Sequence, residues 1–200
     1  MEHKIKIKLR SRRTELGEVL AESLFGRILD NTGMDDPNTS EGQDDLPIDE
    51  AALFAGEVSE VEQDVLEMTT EGILRLQDGR VEIIYDESEL TGMEGATTSV
   101  SFATDDPELV TMMRGGTVTT ALVFEPHRRH ICAYHTPFMP FEICVYSRHV
   151  ENKILDCGTL ELDYIIELRG AQAERTRFTM EIRTADEEDP LPRPEVMLKN

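Results

Sequence analysis

A phenol and a carboxylate stand close together in the sequence at Tyr85 and Glu87, and an arginine follows further on at Arg114. Residues two apart on a strand share a face, so Tyr85 and Glu87 lie on one side of the chain. The apolar Val81 and Ile83 share that side. If this side faces a barrel interior, the carboxylate needs a partner, and Arg114 can supply one. Such a cluster could hold a polar ligand, act as an acid or base, or form a structural ion pair.

Two further phenols, Tyr134 and Tyr164, complete the candidate ligand-binding set of Tyr85, Glu87 and Arg114. Other large side chains expected to line the same interior are Phe102, Met113, Leu122, Phe178 and Met180. Small residues expected to leave space beside them are Thr117, Thr119 and Ala121. A small barrel can be filled by its own side chains or hold one small ligand, and the sequence leaves both open.

Three histidines, His127, His130 and His135, lie near Cys132 and raise a metal-site hypothesis. His130 and His135 are five residues apart, so on a regular strand they face opposite sides. The sequence has no CxxC or HExxH motif, no phosphate-binding glycine loop and no GxSxG motif. It therefore predicts no metal and no cofactor, and it makes an enzyme the less favoured expectation.

Cys132, Cys144 and Cys157 form a sparse, odd-numbered set of cysteines. Such a set favours reduced, packed thiols over a disulfide framework. Cys132 and Cys144 flank a turn centred near Phe138, and symmetric pairing about that residue would place the two thiols opposite each other.

Positioning these residues requires a sheet that brings distant segments together. From about residue 60, short alternating segments separated by turn residues predict an all-β domain. The predicted strands are 61–68, 72–77, 80–87, 97–104, 109–114, 117–124, 129–135, 141–147, 153–157, 160–169 and 175–184. A further strand at 3–11 alternates apolar with basic residues. Asp78-Gly79 and Gly115-Gly116 are typical of hairpin turns, because glycine accepts a positive φ.

Several short motifs follow one another along this region: YDESELTG at 85–92, TTSV at 97–100, MRGG at 113–116, Phe124, YHTP at 134–137 and GTLELDY at 158–164. In order and spacing they resemble the YwiB-like family, a bacterial domain of unknown function. The resemblance implies an antiparallel calycin-like, or lipocalin-like, β-barrel in a bacterial cytoplasm. It implies no catalytic residues.

The chain divides into a first barrel strand at 1–13, an acidic insertion at 14–60, the barrel at 61–184 and a solvated tail at 185–200. The insertion holds thirteen acidic residues and one basic residue. Its apolar periodicity predicts a helix at 14–29, and a second short helix is predicted at 48–55. The polar stretch between these helices predicts disorder.

A net charge of −21 argues against a nucleic-acid partner, because phosphate backbones repel it. No apolar run is long enough for a membrane helix, and the N-terminus lacks a signal-peptide pattern, which predicts a cytoplasmic protein. Three hypotheses follow. The barrel binds a small, partly apolar ligand; or the acidic insertion engages a protein partner, with a homodimer also open; or Glu87 serves an enzyme as acid or base.

Overall fold

The computed structural model describes residues 2–16, 64–88, 95–168, 173–185 and Leu191. These residues form ten strands and one helical turn: β1 Glu2–Leu16, β2 Asp64–Gln77, β3 Arg80–Asp86, β4 Thr97–Ala103, β5 Val110–Gly115, β6 Thr119–Phe124, β7 Arg129–His135, β8 Pro140–Lys153, α1 Ile154–Cys157, β9 Thr159–Leu168 and β10 Ala173–Thr184.

The ten strands close into one antiparallel barrel in which every strand pairs with its neighbours along the chain. β1 closes the barrel by pairing with both β2 and β10. The predicted all-β antiparallel barrel is therefore confirmed. The physical basis is the two-residue alternation: in β1, Ile5, Ile7 and Leu9 are buried while the lysines between them are exposed.

The interior has two different halves along the barrel axis. One half is packed by large apolar side chains, which include Phe102, Phe124, Ile83, Leu160 and Met180. We call this half the filled end. The other half lies where β1, β3, β5, β7 and β9 finish and their partner strands begin, and it contains a cavity. We call it the cavity end.

β2 is one continuous strand, where the sequence predicted two strands, 61–68 and 72–77, with a break between them. Gly72, the predicted first residue of the second of these strands, lies inside β2 and allows close packing there. A Cβ atom at Gly72 would lie 2.5 Å from Ile7 Cδ1 and 2.6 Å from the Ile84 carbonyl oxygen. The glycine is therefore needed for space, and the strand passes through it without a turn.

The predicted strand at 153–157 is wrong, since these residues finish β8 and form the helical turn α1. The turn ends at Gly158, which has φ 80° and donates its backbone N–H to the Ile154 carbonyl oxygen. β1 also runs on to Leu16, through residues 14–16, where the sequence predicted the start of a helix. Ladder pairing with β2 and β10 carries the strand past that point.

The predicted pairing of Cys132 with Cys144 is also wrong. The register pairs Cys132 with Ile143 and Ile131 with Cys144, because the turn is centred between residues 137 and 138. A shift of one residue places the two thiols on opposite faces of the sheet.

Two predicted features lie largely outside the described residues. They are the acidic insertion at 14–60, of which only residues 14–16 are described, and the C-terminal tail at 185–200, of which only Ala185 and Leu191 are described. The predicted helix at 48–55 and all but the start of the predicted helix at 14–29 lie outside them as well. Within the part of the chain that the structure describes, no helix is long and apolar enough to cross a membrane.

Candidate functional site

A cavity of about 290 Å³ occupies the cavity end of the barrel. Strands all round the barrel contribute side chains to its wall. The described lining residues are Leu9, Ser11, Arg13, Leu66, Met68, Tyr85, Glu87, Arg114, Thr120, Leu122, Tyr134, Phe141, Ile143, Tyr164, Ile166, Leu168, Glu174 and Phe178. The volume is close to the lower limit of about 300 Å³ for ligand pockets.

Cross-strand pairing sets one polar residue on each of five neighbouring strands at the same level of the barrel. Tyr85 pairs with Thr98, and Thr98 pairs in turn with Arg114. Arg114 pairs with Thr120, and Thr120 pairs with Tyr134. We call these five residues the polar arc. Directly opposite partners in a sheet have neighbouring side chains, so the arc is a continuous row of polar residues from β3 to β7. Four of its five members line the cavity, and the fifth, Thr98, is fully buried beside it.

The remaining wall of the cavity is mostly apolar. It comes from β1, β2, β8, β9 and β10, which complete the circle that β3 to β7 leave open. We call its members the apolar wall: Leu9, Leu66, Met68, Ile143, Ile166, Leu168 and Phe178. The cavity therefore has a polar side and an apolar side, an arrangement suited to a molecule with one polar edge and an apolar body.

Glu87, directly after β3, is the carboxylate of the polar side. It is buried, with 6% of the residue exposed. The Thr98 hydroxyl donates a hydrogen bond to Glu87 Oε1 at 2.5 Å, and Arg114 Nε lies 3.3 Å from the same oxygen. A buried charge is tolerated when it is paired and hydrogen-bonded, and these two contacts meet that requirement.

Two phenols of the cavity, Tyr85 and Tyr164, are held in their neutral form. Burial raises the pKa of Tyr85, and the neighbouring Glu87 raises it further. Burial also raises the pKa of Tyr164, against the opposing effect of Arg114. A raised pKa keeps the proton on the oxygen, so each phenol can serve as a hydrogen-bond donor at neutral pH.

Two contacts border the cavity near the strand ends. The rings of Tyr134 and Phe141 stack with their centroids 4.7 Å apart and 21° between their planes. Arg13 Nε lies 3.8 Å from Glu174 Oε1, and both of these side chains are more than a third exposed. The stacked rings offer a flat surface, while the exposed ion pair contributes little stability of its own.

The structure brings all five predicted ligand-binding residues, Tyr85, Glu87, Arg114, Tyr134 and Tyr164, to this cavity. Of the other predicted lining residues, Leu122 and Phe178 also line it. Phe102 and Met180 are buried in the filled end instead.

Some predicted lining residues face away from the cavity. Met113 is 51% exposed, because alternation in β5 turns Arg114 inward. On β6 the inward residues are Thr120 and Leu122, one position away from the predicted Thr119 and Ala121, while Thr117 precedes the strand and is exposed. Sequence reasoning missed Ser11, Thr98 and Thr120. Their alternation with apolar neighbours was the available signal, but hydroxyl residues are common on both faces of a strand.

The histidines do not meet. His130 Nε2 lies 3.1 Å from Glu125 Oε2, and His135 is exposed on the opposite face of β7. Among the described residues, no group of three or more His, Cys, Asp or Glu side chains could hold a metal ion. Burial raises the pKa of Cys132, and it raises that of Cys144 to about 11, so neither thiol is activated as a thiolate.

A second buried carboxylate, which the sequence did not single out, is Glu167 on β9. It is 2% exposed, and its Oε2 has no hydrogen-bond partner. Burial raises its pKa to about 7, and the charge of Arg129 opposes that rise. Arg129 lies over the Tyr146 ring at 5.2 Å, and Glu167 pairs with Cys144 across the sheet. This group lies on the face of β9 opposite Ile166, outside the cavity.

Known proteins resemble the chain in two ways. Residues 55–180 match the family model described as a domain of unknown function (DUF1934). The crystal structure of the ywiB protein from Bacillus subtilis has 16% sequence identity and a TM-score of 0.53, and the match covers 92% of this chain and 94% of that one. No curated protein matches the chain in sequence. The predicted YwiB-like character is confirmed, and the chain belongs to the DUF1934 family.

Proposed function

We propose that this chain is a binding protein that holds one small, partly apolar molecule in the cavity end of its barrel, with Tyr85, Glu87, Arg114, Tyr134 and Tyr164 as polar anchors. In this proposal the barrel is of the calycin-like, lipocalin-like type and works in the cytoplasm. The observation that carries the proposal is the cavity of about 290 Å³ with a polar side and an apolar side.

Two physical arguments support a ligand-binding role for the cavity. Protein interiors normally pack without voids of this size, and the filled end of the same barrel does so. Furthermore, arranging a carboxylate, a guanidinium and three phenols around a space costs desolvation that an apolar filling would avoid. A bound molecule that contacts both sides would offset that cost.

Native mass spectrometry of the purified protein, compared with the same sample after denaturation, tests the proposal. We expect a retained small-molecule mass that disappears on denaturation. The variant Ser11→Phe adds a ring to the cavity wall and should lose that mass. The matched control is Lys8→Phe, which adds the same ring on the exposed face of the same strand and should keep it.

Thermal unfolding of both variants shows whether they remain folded. If the folded Ser11→Phe variant carries the same mass as the control, the molecule is bound elsewhere and the proposal fails. A protein partner that binds the acidic insertion remains a prediction, since residues 17–63 lie outside the described part of the chain. The hypothesis that Glu87 acts as an acid or base gains no support from its two structural partners, Thr98 and Arg114.

A further inference from the structure

The charged side chains of the cavity occur as opposite pairs. Among the described lining residues, the charged ones are Arg13, Glu87, Arg114 and Glu174. Glu87 is paired with Arg114 at 3.3 Å, and Glu174 is paired with Arg13 at 3.8 Å. The formal charges of this lining therefore cancel, although the whole chain carries −21.

The pairing of these charges restricts which ligands the cavity can bind. A charged ligand would lose its hydration on entry and would find each opposite charge already engaged by a protein partner. An anion at Arg114 would share the guanidinium with Glu87, whose Oε1 lies 3.3 Å from Arg114 Nε and also accepts the hydrogen bond of the Thr98 hydroxyl. An uncharged ligand pays neither cost.

The Thr120 hydroxyl is a group of the polar arc that such a ligand can bind. Thr120 is 2% exposed and lines the cavity, and its Oγ1 has no hydrogen-bond partner among the described residues. It lies between Arg114 and Tyr134 in the register of the sheet. A buried hydroxyl without a partner is costly, and a ligand group that bonds to it removes that cost.

We infer that the ligand is an uncharged molecule with an apolar body against the apolar wall and a hydrogen-bonding group at Thr120. This inference rests on the proposed function and narrows it to one chemical class. Neutral amides, alcohols and diarylamines belong to that class, whereas carboxylates, phosphates and ammonium compounds, which include protonated aliphatic amines, do not.

The experiment compares two fluorescent probes that share one aromatic framework: phenylnaphthylamine, which is neutral, and anilinonaphthalene sulfonate, which carries a negative charge. We expect the folded wild-type protein to bind the neutral probe at least about tenfold more tightly, a difference of about 1.4 kcal/mol. We also expect Thr120→Val to weaken binding of the neutral probe, because its amine loses the hydroxyl partner.

The acidity of the whole chain also repels the anionic probe, so a variant must separate that effect from the cavity. Glu87→Gln removes the carboxylate that neutralises Arg114. We expect this variant to reduce the ratio of the two probes' binding affinities by about tenfold. Glu71→Gln makes the same change of net charge at an exposed position outside the cavity, and it should leave the difference unchanged.

The outcomes separate the two proposals. Equal or tighter binding of the anionic probe by the wild type overturns the inference of a neutral ligand but leaves the binding function standing. An unchanged preference in folded Glu87→Gln also overturns the inference. Binding of neither probe, or binding that Ser11→Phe does not reduce, contradicts the binding function itself.

Discussion

Two carboxylates are buried among the described residues of the barrel, and their surroundings differ. Glu87, at the cavity end, has a hydroxyl and a guanidinium as partners for Oε1. Glu167, on the opposite face of the sheet, has an oxygen with no partner, and burial raises its pKa to about 7. The difference shows that burial alone does not provide a carboxylate with polar partners. Of these two carboxylates, only Glu87 lines the cavity at the cavity end of the barrel.

The largest change in the free energy of unfolding should come from removing Arg114, the charged partner of Glu87. We expect Arg114→Met to lower the free energy of unfolding by about 3 kcal/mol, because it leaves the Glu87 charge buried. This value is at the lower end for buried pairs, since the Arg114 side chain is 20% exposed. The control Arg10→Met removes a pair in which both side chains are about half exposed, and it should cost less than about 1 kcal/mol. Urea unfolding of both variants measures the difference, and equal losses would contradict the distinction.

Glu167 should make stability depend on pH. The carboxyl ionises near its ordinary value of 4.5 in the unfolded chain and near 7 in the folded one. Between these values the unfolded chain binds fewer protons, so the free energy of unfolding falls as pH rises. One pKa unit corresponds to about 1.4 kcal/mol, so the loss approaches 3 kcal/mol by pH 8.

Replacing Glu167 tests that dependence. We expect Glu167→Gln to be more stable than wild type at pH 8 by about 2–3 kcal/mol and to match it more closely near pH 4. Glu161→Gln on the same strand is exposed and should follow the wild-type curve. Denaturant unfolding at a series of pH values gives both curves. Parallel curves for Glu167→Gln and wild type would show that this carboxyl does not set the slope.

Removing the hydroxyl partner of Glu87 should lower the stability of the protein by less than removing Arg114 does. Thr98→Val keeps the shape of the side chain but loses the 2.5 Å hydrogen bond, and we expect a loss of about 1.5–2 kcal/mol. Thr97→Val removes a comparable bond to Asp86 at 3.0 Å on the exposed face and should cost less than about 0.5 kcal/mol. Thermal unfolding of both variants measures the two losses of stability. A larger loss for Thr97→Val than for Thr98→Val would contradict the prediction.

The smallest change in stability should come from Thr120. We expect Thr120→Val to leave stability unchanged or to raise it by up to about 1 kcal/mol, because the buried hydroxyl has no partner to lose. The same variant should bind the neutral probe less tightly. A clear loss of stability would mean that Thr120 supports the fold, and the distinction between a structural and a ligand-facing hydroxyl would fail.

The sequence by itself determined the barrel and much of its lining. Alternation of apolar and polar residues, as in β1, reports which face of a strand is buried, because side chains of a strand point to alternate faces. It placed Tyr85 and Glu87 on the inner face with Val81 and Ile83. It also determined where β3 to β7 begin and end to within a few residues, since turn residues mark those boundaries.

Only the tertiary structure decided how the strands align and what covers their outer faces. The register of the strands brings the residues of the polar arc together, and it places Cys132 and Cys144 on opposite faces of the sheet. A shift of one residue reverses the face of a side chain, and the sequence of a turn does not fix where the turn is centred. Glu167 lies on the outer face of β9, and it is buried there. Burial of an outer face depends on contacts beyond the strand itself, so no local pattern could report it.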